Sequence, residues 1–213
     1  METYSVIVKF FQSGGVFMYP LMLVFAIGVA ITIERFLFLS KVRRENVSLW
    51  KEVEPLVSSK RFREAFSLTS QNVYGIGQML SYGLARAHNN RRVQEIEAAM
   101  EEGLMESLPK LEKRTHYLST FANVATLMGL LGTIIGLIQA FTAVSNADPA
   151  EKADLLSSSI SVAMNTTAFG LMVAIPLLLI YTYLQTKTNE IVDGQEMVGV
   201  KFLNIISSQN GHE

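Results

Sequence analysis

Three long stretches of this chain carry no charged residue: 10–33, 117–147 and 155–186, which are 24, 31 and 32 residues long. A helix needs roughly 20 apolar residues to cross about 30 Å of hydrocarbon. Each stretch exceeds that length. They read as three transmembrane helices, near 16–38, 119–143 and 158–184. Charged residues make up 17% of the chain, against about 25% in an ordinary soluble domain. The deficit lies in these stretches. The first is not expected to be a cleavable signal peptide, because one Lys and one Glu precede it and no small-residue cleavage site follows.

Lys and Arg set the orientation. Thirteen lie in 40–118, and Lys187 and Lys201 lie in the tail. Only Lys9 and Lys152 fall in the other two connections, and Arg35 sits at the inner edge of the first span. The expected organisation is an N-terminal segment outside the membrane at 1–15, a cytoplasmic helical loop at 39–118, a short outside loop at 144–157 and a cytoplasmic C-terminal helix at 185–213, the outside being the periplasm in the reading given below. The fold class is an all-α integral membrane protein with long cytoplasmic helical extensions.

The large loop has its own pattern. Val93, Ile96, Met100, Leu104, Leu108 and Leu111 recur at steps of three and four, an amphipathic helical stripe. The pattern runs on into the second span, so one helix is expected there, kinked at Pro109. Leu49–Val57 and Phe62–Leu68 read as two short helices split at Ser58-Ser59, with Ser59 capping the second. Ile191, Val198, Phe202 and Ile205 make a weaker stripe in the tail.

Soluble chemistry finds no support. There is no P-loop, HExxH or GxSxG motif. With no Cys, disulfides and thiolate zinc sites are excluded. His88, His116 and His212 have no ligand spacing, so no metal or cofactor is expected. The lone Gly75-Ile76-Gly77 is explained by a turn between helices. A net charge of −1 gives no support to nucleic-acid binding. The chain does not read as an enzyme.

The spans themselves say more. Gly129, Gly132 and Gly136 lie on one side of the second span, a spacing that lets neighbouring helices approach closely. The third span opens with Ser157-Ser158-Ser159 and continues through Ser161, Asn165, Thr166 and Thr167. Polar side chains at membrane depth face protein or water rather than lipid. Thr133 lies ten residues from the outer end of its span and Thr167 nine, so at 1.5 Å per residue both sit roughly 14–15 Å deep. Two hydroxyls can then share a layer near the bilayer centre. Interhelical hydrogen bonding alone also accounts for these polar residues.

The segments 129–137 (GLLGTIIGL) and 166–176 (TTAFGLMVAIP) resemble the paired pore-helix motifs of the MotA/TolQ/ExbB proton-channel family. Gly14-Gly15, Met18-Tyr19-Pro20-Leu21 and Glu34-Arg35 are similar to the first-helix pattern of its ExbB-like branch. The resemblance implies a bacterial inner-membrane subunit, a homopentameric ring, enclosing an ExbD/TolR-like single-span partner that carries a transmembrane Asp. It implies H⁺ or Na⁺ flow driving motion, with a TonB-like periplasm-spanning protein as a further partner. It assigns Thr133 and Thr167 to the pore, with Asn165 and Thr166 beside them. Gly170 and Pro176 join Gly129, Gly132 and Gly136 as helix-packing residues. One departure is Val162, where many ExbB proteins have Glu. A self-contained channel or transporter, and a structural membrane scaffold, are the rival readings.

Overall fold

The computed structural model describes residues 10, 14–72, 74–88, 92–145 and 147–210. Among the described residues the chain is helical and has no strand. Six helices follow in order: α1 Met18–Ser58, α2 Phe62–Ser70, α3 Ile76–Ala87, α4 Val93–Glu112, α5 Thr115–Ser145 and α6 Lys152–Asn210. Three helical stretches are long and apolar enough to cross a membrane, and they run through α1, α5 and α6.

The helix ends correct three expectations. Leu49–Val57 is not a separate helix but the end of α1. That helix closes on Lys60 in the left-handed region (φ 56), with the Arg61 amide donating to the Leu56 carbonyl at 2.9 Å and the Lys60 amide to Val57 at 3.1 Å. This is a two-bond closure that satisfies the last carbonyls of a helix. Ser58 and Ser59 donate back to the Glu54 and Pro55 carbonyls. Ser59 therefore does not cap α2. Arg61 occupies that position, its side chain bonded to Glu64.

The single helix expected to run through Pro109 into the second span is interrupted, though not at Pro109. The proline stays inside α4, and the helix breaks at Lys113–Arg114, where Arg114 adopts φ 67. A left-handed residue interrupts the ladder more completely than a proline within it. The third span and the tail lie on one helix, α6, of 59 residues with Pro176 inside it.

The chain forms two compact units. The first comprises Met1–Ile33 and Arg114–Thr182. Its buried residues are mostly small: Ala122, Ala125, Gly129 and Gly132 on α5, Ala163 and Ala174 on α6. Many of its large apolar residues point outward, among them Leu127, Ile138, Phe141, Met172 and Leu179. A helix apolar on its outer face belongs in lipid or against other apolar helices.

The second unit comprises Glu34–Lys113 and Tyr183–Glu213. Val53, Val57, Ile76, Leu80, Leu84, Ile96 and Phe202 fill its core. Phe202 is fully buried, so the weak stripe of the tail is a core-forming face. Gly75 (φ 68) precedes α3, and the Ile76 amide donates to the Asn46 side chain at 3.1 Å, as a turn between helices requires. At the surface the Tyr82 hydroxyl donates to Glu106 at 2.8 Å and holds that carboxyl below its usual range.

Arg35 is buried in this unit, 2% exposed. Its guanidinium donates to the Leu111 carbonyl, one of the last four of α4, and lies 4.6 Å from the centre of the Phe38 ring. A helix C-terminus leaves its last carbonyls unpaired and carries partial negative charge. A buried guanidinium answers both needs. Sequence reading placed Arg35 at a membrane edge and missed this role, because its acceptor is 76 residues away.

Candidate ion-pathway layer

The first unit is held by a seam between α5 and α6 that only small residues permit. A Cβ on Gly129 would come within 3.2 Å of the Thr167 Cα, and one on Gly136 within 2.7 Å of the Ala163 Cβ. A Cβ on Gly132 would overlap the γ-methyl of Thr166. Gly170 faces back across the same seam, where a Cβ would lie 2.7 Å from the Ala125 carbonyl oxygen. Four of the five predicted packing residues thus meet in one contact. Pro176, the fifth, is exposed on α6. The neighbour of these glycines is the chain's own α6.

That register sets the height of the polar residues. Gly132 lies opposite Thr166, so Thr133 is level with Asn165–Thr166 and within about 3 Å, two residues of rise, of Thr167. Thr133, Asn165, Thr166 and Thr167 therefore fall within one helical turn. Their surroundings differ. Thr166 is 2% exposed. Its hydroxyl lies 2.6 Å from the Gly14 carbonyl and 3.1 Å from that of Val162. It faces protein and ties the segment before α1 to α6. The Gly14 contact, between residues 152 positions apart, has no signal in sequence spacing.

Thr133, Asn165 and Thr167 are half-buried. Thr167 donates across the seam to the Gly129 carbonyl at 2.8 Å, and Thr133 to the Leu130 carbonyl of its own helix at 2.6 Å. A threonine hydroxyl has one proton and two acceptor lone pairs. With the proton engaged, each hydroxyl presents an acceptor. The α5 stretch and the 155–186 part of α6 contain no Asp, Glu, His or Lys apart from His116 at the start of α5. No group of three or more metal-ligating side chains occurs among the described residues.

These features define a multi-pass, all-helical membrane protein with a hydroxyl layer inside an apolar hairpin. The model of the MotA/TolQ/ExbB proton channel family matches residues 72–197, more than half of the chain, and the chain belongs to that family. It is a channel-family subunit of the inner membrane rather than an enzyme. It is 29% identical to a putative biopolymer transport protein ExbB homolog of Methanothermobacter thermautotrophicus, over 92% of this chain and 68% of that protein. It is 30% identical to a putative biopolymer transport protein ExbB-like 3 of Synechocystis, over 79% and 80% respectively. The Tol-Pal system protein TolQ of Haemophilus influenzae shares 36% identity over 44% of this chain and 40% of its own length.

Proposed function

We propose that this chain is the ion-conducting stator subunit of an inner-membrane complex that turns a proton or sodium motive force into mechanical work on envelope partners. The observation that carries the reading is a mid-span layer rich in acceptors and free of carboxylates. The driving force amounts to about 2.3 kcal/mol per charge per 100 mV. Using it requires a group that takes up charge at that depth, and a carboxylate there costs about 2.5–3.5 kcal/mol on insertion scales. This chain supplies hydroxyls and one amide there, groups that do not take up charge. The carboxylate therefore comes from a partner, an ExbD/TolR-like single-span protein with a transmembrane Asp. Several copies of this chain, a homopentamer, surround it, and a TonB-like protein is a further partner.

The geometry suits such a guest. The outward lone pairs of Thr133 and Thr167 accept from a protonated carboxyl or coordinate a cation. A charged carboxylate needs donors, so each hydroxyl must leave its backbone carbonyl and rotate. The layer thus senses the charge on the partner's side chain. Asn165 adds an amide with both donors and acceptors. Val162 leaves H⁺ and Na⁺ as the two candidate ions. Fifteen basic residues against two, outside the spans, support a cytoplasmic loop at 39–118 and tail at 185–213, with the N-terminus periplasmic.

The test is ion flux into vesicles holding this chain alone or with the product of a neighbouring gene that has one Asp-bearing span. Flux is expected only with the partner. Flux from the chain alone would replace the stator by a self-contained channel, and no flux from either would leave a scaffold.

A further inference from the structure

Two grooves of the second unit, of about 250 and 190 Å³, differ in their lining. Both border α6, which lines one with Glu190, Ile191, Gly194 and Val198 and the other with Glu196, Gly199, Val200 and Leu203. At 100° per residue these two sets are centred about 175° apart around the helix. The core residues Gln195, Phe202 and Ile206 project roughly midway between them. The grooves therefore open on opposite edges of the unit.

Their charge differs in sign. The first has Arg43 and Lys51 beside an apolar floor of Val47 and Trp50. Its one acid, Glu190, is bonded to Lys187 at 2.8 Å and lies 4.0 Å from Arg43. The second has Glu97, Glu101 and Glu196 around Met100, Leu104 and Leu203, and no cation lines it. The first groove is also open at its floor, where a Cβ on Gly194 would meet nothing within 4 Å.

Opposite edges of one chain that are opposite in charge are what a head-to-tail contact needs. Such heterologous contacts close into rings when the rotation permits, and complementary potentials fix their register. We infer that the acidic groove of one copy docks against the basic groove of the next, with Glu97, Glu101 and Glu196 facing Arg43 and Lys51. This rests on the ring reading above and names the surface that builds the ring.

The chain has no native Cys, so Lys51→Cys and Glu101→Cys can be placed together and treated with a short bismaleimide in native membranes. A ladder of covalent multimers is expected from the double variant, and none from either single variant. A mixture of the two single variants should stop at dimers. Gly194→Phe, added to the double variant, should fill the groove where a Cβ has open space and abolish the ladder at unchanged protein level. Native mass spectrometry of the unaltered chain separates the two readings. A monomer there overturns the ring itself. An oligomer without the Lys51–Glu101 ladder overturns only this contact. Cross-linking of Glu101→Cys to a different polypeptide, with no ladder, gives the acidic groove to another partner and overturns self-docking.

Discussion

Gly132 and Thr166 meet in the seam between α5 and α6, where a Cβ on the glycine would overlap the γ-methyl of the threonine. The same threonine engages the Gly14 carbonyl through its hydroxyl. One side chain therefore locks three segments, its methyl against α5 and its oxygen against the turn before α1.

This pair makes a double-mutant cycle informative. Gly132→Ala alone should destabilise the chain by about 1–3 kcal/mol, as overpacking of a close-packed contact does. Thr166→Ser removes the methyl that the new Cβ meets and keeps the hydroxyl. The pair Gly132→Ala with Thr166→Ser should recover most of the loss, read as thermal unfolding in detergent. Additive losses would show that the seam is not the site of the strain.

Arg35 allows a second prediction. Arg35→Met keeps most of the buried volume and leaves the Leu111 carbonyl without its donor. The expected loss is about 1–3 kcal/mol, the penalty for a buried polar group left unpaired. Arg35→Lys should lose less, because it keeps a cation near the α4 C-terminus and gives up mainly the planar stacking on Phe38. Equal losses for Met and Lys would show that the carbonyl contact contributes little and that shape alone matters there.

How far the sequence reached depends on the range of each interaction. The glycines at 129, 132 and 136 announce a close approach, and the hydroxyls of Thr133 and Thr167 announce a common depth, because helical period and rise are local quantities. The partner across the seam is not local. Sequence left Thr166 to face either protein or water, and it is buried, because its partner Gly14 is 152 positions away. The helix between 93 and 145 looked continuous because hydrophobic period ignores one residue turning left-handed at Arg114. Ser59 looked like a cap, and it back-bonds to Pro55 instead.

The last prediction concerns the layer itself. Thr133→Val and Thr167→Val preserve shape and remove the two hydroxyls and their acceptor lone pairs. Each hydroxyl also donates to a backbone carbonyl. Gly129 and Leu130 lie inside α5, so their carbonyls keep helical partners when the side chain goes. If the hydroxyls serve packing only, the double variant should lose about 1–2 kcal/mol of association or less, and any complex that still forms should work normally. If they accept from the partner's carboxyl or hold its ion, the complex should assemble in full and lose ion-driven work. The separating measurement is ion flux at matched abundance of assembled complex, in Na⁺-free and Na⁺-rich medium. Flux lost in both media places the hydroxyls on the path of either ion. Flux lost only when Na⁺ is the sole permeant ion assigns them to sodium, and retained flux in both returns the chain to the scaffold reading.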